Sequence, residues 1–184
     1  MSDTVALIQD WQAGEEGAAE ALYNAHRSDV YRLAYALLGN AEDAEEVAQD
    51  ALTYALVNIR HYAPERASFA TWLHTITVSR CRDRQRRKRL VSFSLTEWLG
   101  LGRDLSDPAP GPEAAVIEAE RREALLQAMR ELHPAVREAL VLRYWAGHTF
   151  REIAEIMDCP LPTAQSRVRL GYQQLRAALR EEKT

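Results

Sequence analysis

Cysteine is scarce: Cys81 and Cys159 are the only two in 184 residues, far apart and neither in a metal-ligand spacing. That excludes a disulfide scaffold and a cysteine-based zinc site, and the thiols are expected to be reduced, as in a cytoplasmic protein. Long apolar runs are missing as well. No stretch approaches the roughly 20 residues that cross a bilayer, so no membrane insertion is expected. The start, MSDTVALIQD, lacks a basic flank followed by an apolar stretch, and no secretion signal is expected. There is no period-two alternation to support a strand, and no internal repeat. A glycine-rich phosphate loop and a nucleophile motif are both absent. His26, His61, His74, His133 and His148 never stand at ligand spacing with acids or cysteines. An enzyme is therefore not expected, nor are catalytic residues, a metal or a cofactor.

What is present is charge in blocks. The net charge of −4 conceals 11 acids against 3 bases in residues 1–60, then 2 acids against 8 bases in 61–90. Residues 91–120 return to 6 acids and 1 base, and residues 121–184 hold 8 acids and 11 bases. A chain built this way can hold a polyanion at its basic blocks and a basic protein surface elsewhere.

Apolar spacing predicts an all-α protein of two helical domains joined by a flexible linker. In residues 15–38, Leu22, Val30, Leu33, Ala34 and Leu37 fall at helical intervals, and Gly39-Asn40 ends that helix. A second helix is predicted from Ala41 to about Ile59, on Ala44, Val47, Ala48, Ala51, Leu52 and Ala55. HYAPERAS reads as a loop. Ser68 is placed to cap a third helix that runs through Phe69, Trp72, Leu73 and Ile76 into RCRDRQRRKR. The first domain is placed at 1–90, a Gly- and Pro-rich linker at 91–115 and a second domain at 116–184. That second domain is expected to hold four helices. One carries Val116, Leu125, Leu126, Met129 and Leu132. The next starts at Pro134 and stops at Gly147, a third is capped by Thr149, and the last follows DCPLP.

Short helix, tight turn and longer helix is the helix-turn-helix layout. Pro160 and Pro162 belong in a first helical turn, so they set where the last helix begins. On it, Ala164, Val168, Gly171, Tyr172, Leu175 and Leu179 share one face, expected to pack on Ile153 and Ile156. Gln165, Ser166, Arg169, Gln173, Arg176 and Arg180 share the opposite face, with no carboxylate. Such a row suits the DNA major groove, where Gln and Arg read base edges and Arg also holds phosphate.

Two further patterns suit binding. Glu42, Asp43, Glu46, Gln49, Asp50 and Thr53 fall opposite the apolar stripe of the second helix, and a basic protein partner is the sharper reading of that face. The third helix ends in Arg80, Arg82, Arg84, Arg86, Arg87, Lys88 and Arg89, opposed by Asp83 alone. That exceeds what a helix C-terminus needs and suits a phosphate backbone. Phe69 and Trp72 stand at core spacing and are expected to be core.

Together these segments resemble bacterial sigma factors of the extracytoplasmic-function group over nearly the whole chain except the linker. VYRLAYALLGNAEDAEEVAQDALTYAL resembles the helices that bind core RNA polymerase. YAPERASFATWLHTITVSRCRDRQRR resembles the segment that opens and reads the −10 promoter element, and LHPAVREALVLRYWAGHTFREIAEIMDCPLPTAQSRVRLGYQQLR the domain that reads the −35 element. The resemblance implies that Asp43, Glu46, Gln49 and Asp50 face the β′ coiled coil of the polymerase. It implies that Tyr62, Arg66 and Ser68 belong to a loop capturing a flipped −10 base, and that Arg80, Asp83, Arg84 and Arg87 lie along the −10 strand. At −35 it implies Thr149, Arg151, Thr163, Gln165, Ser166, Arg167 and Arg169. The implied partners are core polymerase, through its β′ coiled coil and β flap, promoter DNA, and an anti-sigma factor. Pro162 stands where the family commonly has glycine, Gln165 where it has lysine or arginine, Ala67 where it has glycine and Ser79 where it has asparagine. Gln165 thus suggests adenine readout at one −35 position. A stand-alone helix-turn-helix regulator is the competing reading, but it needs neither the acidic face nor a separate basic block.

Overall fold

The computed structural model describes residues 2–15, 17–90 and 124–181, and the regular structure within them is helical throughout. The predicted linker at 91–115, and residues 116–123 of the helix predicted after it, lie outside the described residues. So do the side chains of Lys88, Arg89 and Arg180. The chain forms two compact units.

The first is built from α1 (Ser2–Ala13), α2 (Ala18–Leu38), α3 (Ala41–Val57), a 3-10 turn (Ile59–His61) and α4 (Phe69–Leu90). α1 was not among the predicted helices, although Leu7, Ile8 and Trp11 have helical spacing. Its docking is partly polar. Trp11 Nε1 donates to the Leu56 carbonyl at 2.9 Å, and Gln12 Nε2 to that of Ile59 at 3.3 Å. α2 starts at Ala18 rather than 15, because Gly17 just before it takes a left-handed φ of 89°. α3 buries Ala44, Ala48, Ala51 and Ala55 on one line. Small side chains on that line let its neighbours approach closely. Leu22, Val30, Leu52, Leu73 and Phe69 fill the core between them. Phe69 is core as predicted, and Tyr62 and Trp72 pack on it with ring centroids 5.5 and 5.8 Å away. Cys81 is buried and Cys159 half-buried, and neither is in a disulfide.

The second unit is built from α5 (124–131), α6 (Pro134–Leu140), most of α7 (Phe150–Ile156) and α8 (Leu161–Glu181). Pro134 opens α6 as predicted, with His133 Nδ1 accepting from the Ala135 N–H at 3.3 Å. α6 does not run on as an α-helix to Gly147. It widens into a π turn over Val141–Trp145, where the Ala146 N–H reaches back to the Val141 carbonyl at 3.0 Å.

α8 meets α6 at Gly171. A Cβ there would lie 2.5 Å from Leu140 Cδ1, 2.7 Å from Leu140 Cγ and 2.9 Å from Val136 Cγ1. Ala164, Val168 and Gly171 therefore form the contact line, and Ile153 and Ile156 are buried as expected. Tyr172 departs from its predicted place in the buried stripe. One residue round from Gly171 it falls on the flank, 53% exposed, with its ring 6.4 Å from that of Tyr144. Gly171→Ala should lower the stability of the second unit by about 1–3 kcal/mol, because the buried Leu140 and Val136 side chains would have to shift, outweighing alanine's better helix propensity. Urea unfolding of the full chain checks this, and an unchanged transition would show that the crossing has room.

Candidate functional site

α3 presents Glu42, Glu46, Gln49, Asp50 and Thr53 to solvent. Asp43, expected among them, is corrected by the structure: it is 3% exposed and turned toward α4. The cause is local. Asn40 caps α3 by accepting from the Asp43 N–H at 2.8 Å, which starts the helix there and rotates the Asp43 carboxylate inward. A buried carboxylate needs a cation or several donors. Arg84 supplies both, with Nε donating to Asp43 Oδ1 at 2.8 Å and Nη2 at 2.7 Å from the same oxygen. Arg84 Nη1 also donates to Glu46 Oε1 at 2.8 Å, and its Nη2 lies 2.8 Å from Glu46 Oε2. The hydrogen bond to Asp43 raises the guanidinium above its usual range. Three residues expected in two separate interfaces are thus one cluster.

The rest of the basic stretch is arranged around this cluster. Gln85 Nε2 donates to the Leu37 carbonyl at the end of α2, at 3.1 Å. Arg80 sits over the Tyr54 ring, 4.9 Å from its centroid. Asp83 holds Arg86 at 2.8 Å. Arg82, Arg86 and Arg87 are exposed. Gln85 was passed over in the sequence, although an uncharged side chain inside an arginine run was a signal of a structural partner.

The loop that enters α4 is internally bonded. Ser68 Oγ accepts from the Thr71 N–H at 3.1 Å, capping α4 as predicted. Tyr62 donates its hydroxyl proton to the Ala67 carbonyl at 3.2 Å, and burial raises its pKa. Arg66 is exposed.

In the second unit α7 begins with a reciprocal cap. Thr149 Oγ1 accepts from the Glu152 N–H at 3.3 Å, and Glu152 Oε2 accepts from the Thr149 N–H at 2.8 Å. The Thr149 hydroxyl also donates to that carboxylate at 2.8 Å, so this expected DNA contact is engaged in the cap. Burial lowers the pKa of the neighbouring His148, against the opposing charge of Glu152. The turn then reverses through Asp158, at φ 47°. The Pro160 carbonyl accepts from the N–H groups of Thr163 and Ala164 at 2.9 and 3.1 Å, so the prolines do fix the start of α8. Gln165, Ser166, Arg169, Gln173 and Arg176 are exposed on α8, as is Arg151 on α7. Arg167 is half-buried at the flank, and Ser166 Oγ donates to the Thr163 carbonyl at 2.9 Å. The exposed aromatic pair Tyr144 and Tyr172 was missed, because Tyr172 was assigned to the buried stripe. Among the described residues no His, Cys, Asp and Glu side chains gather as a metal-ligand set, and no helix is long and apolar enough to cross a membrane.

Comparison with known proteins agrees with this geometry. Residues 22–91 match the family Sigma-70 region 2, and residues 122–175 match Sigma-70, region 4. The chain is 30% identical over 179 residues to the ECF RNA polymerase sigma factor SigW of Bacillus subtilis (strain 168), covering 95% of each. In fold it is similar to CnrH in complex with the cytosolic domain of CnrY, with a TM-score of 0.69 at 20% identity over 98% of this chain and 99% of that one. It is similar too to the sigma factor RpoE from Bartonella quintana in complex with the anti-sigma factor NepR, with a TM-score of 0.64 at 21% identity over 84% and 91%. The protein is not an enzyme: the chain belongs to the extracytoplasmic-function sigma factors of RNA polymerase, and it directs promoter-specific transcription initiation.

Proposed function

We propose that the two units divide the promoter between them. Residues 1–90 bind core polymerase and read the −10 element, residues 91–115 link, and residues 116–184 read the −35 element. The observation that carries this reading is the exposed row Gln165, Ser166 and Arg169 at the start of α8, free of carboxylates and fixed in place by the capped α7 and the Asp158 turn. Donors held on a rigid helix suit base edges in the major groove, whereas Arg176, farther along, suits phosphate. Thr149, Arg151, Thr163 and Arg167 flank that row and complete the −35 surface. In the first unit, Arg66, Arg80 and Arg87 serve the −10 strand, with Tyr62 and Ser68 shaping the loop.

Glu46, Gln49 and Asp50 form the polymerase-facing set on α3, without the buried Asp43. Their acidic, exposed face suits a basic helical surface such as the β′ coiled coil, and the β flap is assigned to the second unit. An anti-sigma protein is the third partner, in keeping with the NepR complex of the related RpoE fold. The site of action is the cytoplasm, where polymerase works.

Asp50→Lys combined with Gln49→Ala lies outside the ion cluster and should leave the helical circular dichroism unchanged. It should weaken association with core polymerase by at least about tenfold, since like charge set opposite a basic surface is strongly unfavourable. Undiminished co-purification with core enzyme would remove α3 from the interface. Gln165→Ala should cost about 1–3 kcal/mol of preference at a single −35 base pair, while Arg176→Ala weakens all sequences alike. Binding of the holoenzyme to promoters randomised at −35 measures both. An even loss for Gln165→Ala, with relaxed preference for Arg176→Ala, would reverse the placement of α8.

A further inference from the structure

Within the basic stretch of α4, Arg84 stands apart from its neighbours. All three of its guanidinium nitrogens are engaged, two with the buried Asp43 carboxylate and two with Glu46, Nη2 being shared. Its side chain is 26% exposed, against 77% for Arg86. Among the described residues, Arg84 bridges two carboxylates, one of them buried. A DNA phosphate brought to this guanidinium would have to displace charge-assisted hydrogen bonds already made to Asp43 and Glu46. Resting on the reading of α4 as the promoter-facing helix, we infer that Arg84 is a positioning residue: it fastens α4 to α3 and does not itself hold DNA.

The fastening has a second, independent point in the next residue. Gln85 takes the Leu37 carbonyl, one of the last of α2 and otherwise left without a helical partner by the chain reversal at Gly39. Residues 84 and 85 therefore clasp the corner where α2 ends and α3 begins, the same corner that Asn40 caps. The clasp is the last of these anchors before Arg86 and Arg87. A helix terminus frays when nothing holds it, and long arginine side chains on a frayed end lose entropy when they bind. Held at 84 and 85, the end presents its exposed arginines from a fixed backbone. The same guanidinium also bonds Glu46 of the polymerase-facing set, so the two binding faces of the first unit share one side chain.

The two roles differ in salt dependence. A phosphate contact releases counterions, and losing one flattens the slope of log affinity against log salt by about one. A positioning residue lowers affinity and leaves that slope alone. The experiment uses holoenzyme reconstituted from the full chain and core polymerase, binding a −10 single-stranded template across a salt series. Arg84→Met keeps the aliphatic stem, and Asp43→Asn keeps the side-chain shape without charge. Each should weaken strand binding on the order of tenfold at unchanged slope, and the double variant should lose no more than either alone, as for residues acting as one unit. Arg87→Ala should flatten the slope, and its loss should add to that of Asp43→Asn. Circular dichroism of each variant at the assay temperature verifies that it is folded. If Arg84→Met does not fold, Arg84→Lys with Asp43→Asn replaces it in the same cycle.

A flattened slope for Arg84→Met, with a loss that adds to Asp43→Asn, overturns the positioning role and leaves α4 as the DNA helix. Unaltered strand binding in every variant, Arg87→Ala included, overturns both.

Discussion

A carboxylate that leaves water must find charge or donors, and that requirement organises the first unit. Asp43 leaves water because Asn40 caps α3 and fixes its rotation. Arg84 answers it from 41 residues away, and the pairing brings the basic end of α4 against the acidic start of α3. Two blocks of opposite charge, drawn apart along the sequence, are joined at one seam in the fold. Other polar and charged side chains are turned outward on either side of it: Gln49 and Asp50 on α3, Arg86 and Arg87 on α4. A partly buried pair of this kind adds little net stability over an apolar seam, but it is costly to break on one side only. On the proposed reading, its worth lies in fixing one arrangement of the two exposed faces, on α3 and α4.

The second unit reaches rigidity by packing. Gly171 admits Leu140 and Val136 to the backbone of α8, and the reciprocal cap between Thr149 and Glu152 sets the start of α7. With Asp158 in the left-handed region and Pro160 accepting the first helical bonds, α8 has a defined beginning. The proposed −35 role of α8 needs this, because a shift of one residue would rotate Gln165 out of the exposed row by about 100°. Each unit thus spends its special residues on holding a helix end, and leaves the interaction itself to exposed, unbranched polar side chains.

Much of this was legible in the sequence. Helix periods marked α2, α3, α6 and α8, the Ser68 and Thr149 caps fell where expected, and the prolines marked the start of α8. The misreadings share a physical origin. Helical spacing assigns a face but not its angle to the neighbouring helix, so Asp43, at the edge of the polar face, was read as exposed and Tyr172, at the edge of the apolar face, as buried. Charge run length does not reveal which arginine pairs with a buried acid on another helix, so Arg84 was grouped with Arg86 and Arg87. Gly171 was counted as an apolar-face residue, and nothing local indicated that Leu140 would lie against its Cα. α1 was overlooked although Leu7, Ile8 and Trp11 have helical spacing, and its docking is made partly by Trp11 and Gln12 hydrogen bonds to backbone.

The central claim is that the Arg84 cluster orders the end of α4. Amide hydrogen exchange of the free full-length chain tests it most directly, comparing the wild type with Asp43→Asn. The account predicts that protection over residues 82–87 falls by at least about tenfold while the amides of Leu33, Leu52 and Leu73 keep theirs, because local opening is set by local anchors. Equal protection of residues 82–87 in the two proteins would contradict it.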